Sequence, residues 1–150
     1  MEILGLAIVV ILILLGATFF ITTSIKKPVA YRTSFISSEL ASNMINTYLK
    51  TVAADCSQLT MTELLQDCAK GASIQCANSQ DSCAYAKSTA QTIFENTLNK
   101  WNYTYYFSAY TDERNAMIRI GNPCLGEKKS KIFPVPSSVS TIYVKLEICG

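Results

Sequence analysis

The hydrophobic pattern changes character several times along the chain. From Ile3 to Ile21 it is unbroken, 19 residues without a charge, an Asn, a Gln or a Pro. Such a run predicts a helix apolar on every face. It would be ~28 Å long at 1.5 Å per residue, close to the hydrocarbon thickness of a bilayer. A helix of that kind has to be buried, in lipid or in protein. Pro28 then lacks an N–H and kinks or breaks a helix. Beyond it, Ala30 to Val52 predicts a second helical stretch. Ile36, Leu40, Met44, Tyr48 and Val52 form a stripe flanked by Phe35, Ile45 and Leu49, against polar Ser34, Ser37, Glu39, Ser42, Asn43, Asn46 and Lys50. Together the two stretches predict one helix of roughly 50 residues, hydrophobic and then amphipathic. The stripe is expected to pack on its own domain.

Thr60-Met61-Thr62-Glu63 is a capping-box signature. It opens a short helix that runs to about Ala69 and stops at Gly71. A further helix from about Ala84 to Lys100 places Ala86, Ala90, Ile93, Phe94, Leu98 and Trp101 on one face. The period then becomes two. Tyr103 to Tyr110 predicts a strand, Thr111 to Asn115 a turn, and Ala116 to Ile120 the returning strand, ended by Gly121-Asn122-Pro123. Pro134 and Pro136 make Ile132 to Pro136 an extended edge segment. In Thr141 to Ile148, Ile142, Val144, Leu146 and Ile148 point one way. Thr141, Tyr143, Lys145 and Glu147 point the other. The fold class is therefore α+β, with a long N-terminal helix, short disulfide-linked helices and a C-terminal antiparallel sheet. Residues 1–28 form the hydrophobic helix. Residues 29–150 form a head holding the amphipathic continuation, the Cys-rich helices and the sheet.

Composition narrows the functional classes. Charged residues are 16% of the chain, below the ~25% usual in soluble domains. Outside the apolar run, about 130 residues remain, enough for one core. There is no His, which removes His-dependent nucleophilic catalysis, His-ligated metals and a histidine pH switch. Asp112 and Glu113 are adjacent in a turn and diverge rather than flank a bond. No Gly-rich phosphate loop occurs, so neither an enzyme nor a cofactor is expected. A net charge of +2 is too weak to imply nucleic acid. Tyr103, Tyr105, Tyr106, Phe107 and Tyr110 could stack bases, but only Arg114 and Arg119 accompany them, and a half-buried strand accounts for the same residues. Lys128-Lys129-Ser130-Lys131 reads as a solvated loop. Asn102-Tyr103-Thr104 is the sole N-glycosylation sequon.

Six cysteines are separated by gaps of 11, 7, 6, 40 and 24 residues, with no C-x-x-C. This spacing suits neither a zinc site nor a thioredoxin-like centre. Three disulfides are expected, with free buried thiols as the alternative. Cys124 with Cys149 is the favoured pair, because the two bracket the last strand. Cys56, Cys68, Cys76 and Cys83 leave three local pairings open. Disulfides imply an oxidising compartment, whereas Lys26, Lys27 and Arg32, all after the apolar run, would place the head in the cytoplasm. A short basic leader removed before Met1 reconciles the two. A cleaved secretory signal fits less well, since Met1-Glu2 is no basic n-region and the apolar core is long. Gly5 and Gly16 lie three turns apart on one helix face and would admit a close neighbouring helix. Glu2, beside the N-terminal amine, would need a partner in an apolar core, with the amine of an adjacent copy the nearest candidate.

This layout resembles type IV pilins. The family joins a helix of about 50 residues, uniformly apolar in its first half, to a head carrying an antiparallel sheet, often with a disulfide loop near the C-terminus. Here that corresponds to Ile3 to about Val52, Pro28 in mid-helix, strands from Tyr103 onward, and Cys124 to Cys149. Bacterial members begin with a methylated Phe and carry a Glu one turn in. This chain departs from that with Met1-Glu2 and Gly5-Leu6 there, and the archaeal branch matches the apolar run better than the bacterial one. The resemblance implies processing by a prepilin-type peptidase and insertion in the membrane before assembly. It further implies homopolymerisation through the N-terminal helices on the outer surface, and adhesion or surface contact as the role. The other reading is a single-pass anchored extracytoplasmic domain serving a membrane complex as a binding or accessory subunit.

Overall fold

The computed structural model describes residues 11–18 and 29–150, with the backbone alone at residues 29–35 and at Asn78. The chain divides into two compact units, Met1–Thr33 and Ser34–Gly150. In the first, residues 11–18 are helical (α1). The expected helix across residues 1–10 and 19–28, the break at Pro28, and the sites Glu2 and Gly5 lie outside the described residues. Helix α2, Val29–Lys50, leads into the second unit.

That unit is α+β. After α2 come β1 (Val52–Ala53), β2 (Leu59–Thr60), α3 (Met61–Lys70) and α4 (Ser82–Phe94). Strands β3 (Tyr105–Asp112), β4 (Asn115–Gly121), β5 (Lys128–Val135) and β6 (Ile142–Cys149) follow. They form one antiparallel sheet in the order β4-β3-β6-β5, and β1 and β2 pair separately. Both ends of α3 and the start of α4 are explained locally. The Thr60 hydroxyl accepts the Glu63 N–H at 3.3 Å, while Glu63 accepts the Thr60 N–H at 2.7 Å, the expected capping box. The Thr60 N–H first, and then the Thr60 hydroxyl, which donates to the same carboxylate oxygen at 2.8 Å, hold the Glu63 carboxyl below its usual range. Gly71, at φ 117°, closes α3 in the left-handed conformation that suits glycine. Asp81 caps α4 by accepting the Ala84 N–H at 2.7 Å.

The core lies between the helices and one face of the sheet. Ala41, Met44, Ile45 and Tyr48 of α2, Leu64 and Leu65 of α3, and Ala86, Ala90 and Phe94 of α4 are buried with Phe107, Ala109, Ile118, Val144 and Leu146. Its centre is aromatic. The Tyr48 ring meets Phe107 edge-on at 5.3 Å between centroids, and Phe94 lies 5.0 Å from Phe107. The Tyr48 hydroxyl donates to the Ala86 carbonyl at 3.1 Å, so the polar tip is satisfied where the ring is buried. That burial pushes its phenol pKa far up.

Several details differ from the sequence expectation. The α2 stripe does not bury its ends. Ile36 is 50% exposed, and Val52 belongs to β1 rather than to the helix. Strand periodicity turns Val52 out and Ala53 in. Helix α4 begins at Ser82 and widens to a π-turn over Glu95–Asn99. The wider turn keeps Leu98 buried and rotates Trp101 outward, to 56% exposure. Lys128 to Lys131 is not a loop but the start of β5, paired Lys128↔Cys149 and Lys131↔Leu146. Its lysines and Pro134 suit an edge strand that must resist pairing with other chains. Lastly, Glu147, on the face of β6 opposite Leu146 and Ile148, is nonetheless only 2% exposed.

One buried acid organises the disulfide region. Asp67 accepts from Ser73 Oγ and Ser82 Oγ, both at 2.6 Å, and from the Ile74 N–H at 2.9 Å. Burial alone would raise its pKa. The three hydrogen bonds, with the nearby Lys70 charge, outweigh burial and hold it below the usual Asp value. A group whose folded pKa is lowered adds stability above its unfolded pKa and loses it as pH falls through the folded one. Asp67→Asn is therefore expected to lower the unfolding free energy read from urea melts at pH 7 by about 1–3 kcal/mol. It should also flatten the stability loss that the wild type shows as pH falls below about 4. An unchanged acid limb in the variant would refute this role.

Candidate functional site

Two surfaces are candidates. The first is α1. Its side chains from Ile11 to Leu15 are all 56–64% exposed, although every one is Ile or Leu. Five consecutive residues sweep the full circumference of a helix, at 3.6 residues per turn, so Ile and Leu cover every side of α1 from Ile11 to Leu15. Gly16 continues this segment, and a Cβ built there meets nothing within 4 Å. Thus the chain itself does not require glycine at position 16. Among the described residues no helix is long and apolar enough to cross a membrane. The apolar run continues beyond them on both sides.

The second surface is the face of the sheet turned away from the helices. Strand alternation sends Tyr105, Phe107 and Ala109 inward and Tyr106, Ser108 and Tyr110 outward. The rings of β3 are thus divided between two faces rather than gathered on one. Register pairs Tyr110 with Tyr143 across β3 and β6. Their rings stack at 5.8 Å between centroids with 29° between planes. Burial first, and then the Glu113 charge, push the Tyr110 phenol up. The β3–β4 turn rises beside this pair, fixed by an Asp112 carboxylate oxygen that accepts the Arg114 N–H at 3.2 Å. Tyr110, Asp112, Glu113, Arg114, Ile132 and Tyr143 line an open groove of about 540 Å³.

Further along the same face, Glu147 receives two ammonium groups on one carboxylate oxygen, Lys145 Nζ at 2.6 Å and Lys128 Nζ at 3.0 Å. Burial opposes its ionisation. The hydrogen bonds and charges of Lys145 and Lys128 prevail and lower its pKa, and the Glu147 bond raises that of Lys145. An acid inside a strong strand, where β propensity is poor, was the available signal. Its partners depend on register, Lys145 two residues away on the same face and Lys128 across β5.

The sequence-derived sites fall as follows. Cys124 pairs with Cys149, at 5.3 Å between Cα atoms, the favoured bridge. Of the open pairings the structure takes Cys56–Cys76 and Cys68–Cys83. No free cysteine is present. Cys68 adjoins Asp67, and Cys83 adjoins Ser82, so a covalent bridge and a hydrogen bond join α3 to the start of α4 side by side. Asn102 is exposed at φ 62°, in the connection between the π-turn and β3. The sequon is therefore on the surface and outside regular structure. Among the described residues no cluster of three Cys, Asp or Glu could hold a metal ion. The chain matches no family model, no curated protein and no solved structure.

Proposed function

We propose that this protein is the structural subunit of an extracellular filament of type IV pilus kind, polymerising through its N-terminal apolar helix and presenting the head on the surface for adhesion. The observation that carries the reading is α1, exposed on every side with nothing but Ile and Leu from Ile11 to Leu15. Such a surface requires an apolar covering. In a filament, neighbouring copies supply it after the helix leaves the lipid. The α+β head supports the same reading, with its antiparallel sheet, its amphipathic helix on one face and its C-terminal bridge Cys124–Cys149. So do the three disulfides, which fit an oxidising location. Asn102, if glycosylated, would decorate the outside. No enzymatic chemistry is proposed.

The test is Gly16→Leu. Since a Cβ at position 16 meets nothing within 4 Å, the variant should keep its fold and its membrane insertion. If copies pack closely along the face shared by Gly5 and Gly16, filaments in sheared surface material should be lost or at least tenfold fewer by electron microscopy. Glu2→Gln should impair assembly as well, through the lost contact with a neighbouring amine. Filaments as abundant in Gly16→Leu as in wild type would remove the packing argument. Membrane-bound wild type that forms no filament would instead support the anchored accessory subunit.

A further inference from the structure

The groove over the outer face of the sheet has a floor and a rim of different chemistry. The floor is the stacked Tyr110–Tyr143 pair and Ile132. Tyr143 is 40% exposed and Ile132 48%, so apolar surface is left uncovered there. The rim is the β3–β4 turn, which places two carboxylates, Asp112 and Glu113, and one guanidinium, Arg114, around the same space. Its volume of about 540 Å³ falls within the ~300–1,000 Å³ of small-ligand sites. A second hollow of about 210 Å³ adjoins it along β3. Tyr110 and Glu113 line both hollows, and Ser108, Arg119 and Lys145 belong to the second.

Each feature constrains the ligand. An open groove with a charged rim suits no purely apolar molecule. Two carboxylates in the main hollow oppose a polyanion. Carboxylates only accept hydrogen bonds and guanidinium groups only donate them. The ligand must therefore do both around its edge while laying a flat apolar face on the exposed Tyr143 ring, since its stacking partner Tyr110 is itself buried. A pyranose meets all three demands, with C–H bonds on one face and hydroxyls around its rim. Two hollows sharing Tyr110 and Glu113 accommodate more than one ring. We infer that the outer face of the sheet binds a neutral oligosaccharide, with Tyr143 as the stacking residue and Asp112, Glu113 and Arg114 as hydroxyl-binding groups. This deepens the adhesive part of the proposed function and rests on it for its biological sense, but does not depend on polymerisation.

The experiment uses the full-length unassembled protein in lauryldimethylamine oxide micelles, which carry no sugar headgroup. Saturation-transfer NMR is run with triacetylchitotriose, cellotriose and maltotriose as neutral probes and sialyllactose as the anionic one. We expect transfer to ring protons of at least one neutral trisaccharide, and binding weakened at least tenfold in Tyr143→Ala and in Asp112→Ala. Val139→Ala, an exposed loop position, should bind as wild type does. Thermal melts establish folding, and Ile132→Ala, expected to weaken binding severalfold, replaces Tyr143→Ala if that variant melts early. Transfer to none of the neutral probes, transfer unaffected by the groove variants, or transfer to sialyllactose alone would overturn the inference. Binding is read on unassembled protein and filaments are read by microscopy, so failure of one is distinguishable from failure of the other.

Discussion

Reduction of the three disulfides is expected to abolish the cooperative melting of the head. The bridged cysteines are 20, 15 and 25 residues apart. In the chain-entropy account each such loop restricts the unfolded chain by about 3 kcal/mol, so together they approach about 9 kcal/mol. A domain's whole stability is of the order of 5–15 kcal/mol. Cys56, Cys68 and Cys76 are buried and Cys83 is partly exposed, whereas both partners of the last bridge, Cys124 and Cys149, are partly exposed. Limited reductant should therefore open Cys124–Cys149 first and spare the helical region. Intact mass under non-reducing conditions should fall short of the fully reduced mass by about six hydrogens, two for each bridge. Circular dichroism melts with and without reductant supply the second readout. A full-height transition at an unchanged temperature after complete reduction would show that the core stands without its bridges.

Val144→Asp should prevent folding or cost several kcal/mol. Val144 is fully buried and lies in register between Ala109 of β3 and Phe133 of β5. A carboxylate there has no partner, and an unpaired buried charge typically costs about 3–5 kcal/mol. The neighbouring Lys145→Asp is more instructive. Alternation alone makes it a harmless change on the solvent face. The structure instead places Lys145 Nζ 2.6 Å from the buried Glu147 carboxylate. The variant would remove one of two cations holding that acid and add a second negative charge beside it. A loss of about 1–3 kcal/mol is expected, less than for Val144→Asp because Lys128 remains. Adding Glu147→Gln to Lys145→Asp should recover part of the loss. Thr141→Asp, at an exposed position, should change stability by less than about 0.5 kcal/mol. Urea melts rank the three. Equal losses for Val144→Asp and Thr141→Asp would mean that the two faces of the last strand are wrongly assigned.

The elements most legible in the residues were those decided within a few positions of themselves. The Thr60–Glu63 box and Gly71 act through backbone groups in their own turn, and the inward set of β6 follows from a period of two. Lys128 to Lys131 escaped recognition because three lysines mask strand alternation, which only pairing with β6 makes plain. The Trp101 position depends on a widened helical turn, and a change in turn width leaves no mark in a 3.6-residue pattern. Asp67 left a faint signal, an acid in the last turns of a helix where the dipole disfavours it. Its three donors lie six, seven and fifteen residues further on.

By itself, then, the sequence determined the α+β class, the apolar character of the segment that includes α1, the inward set of β6 and the capping of α3. These are local matters of periodicity and backbone hydrogen bonding, and tertiary contacts did not have to be known to read them. The bridge Cys124–Cys149 was accessible for a related reason, since its partners flank the final sheet pairing. Only the tertiary structure decided which of three pairings joins Cys56, Cys68, Cys76 and Cys83, that Glu147 is buried beneath two lysines, and that Tyr110 and Tyr143 meet in the lining of a groove. Each of these depends on residues brought together by strand order and register. Register is settled by burying one whole face of a sheet at once, a collective energy that no short stretch of the chain carries.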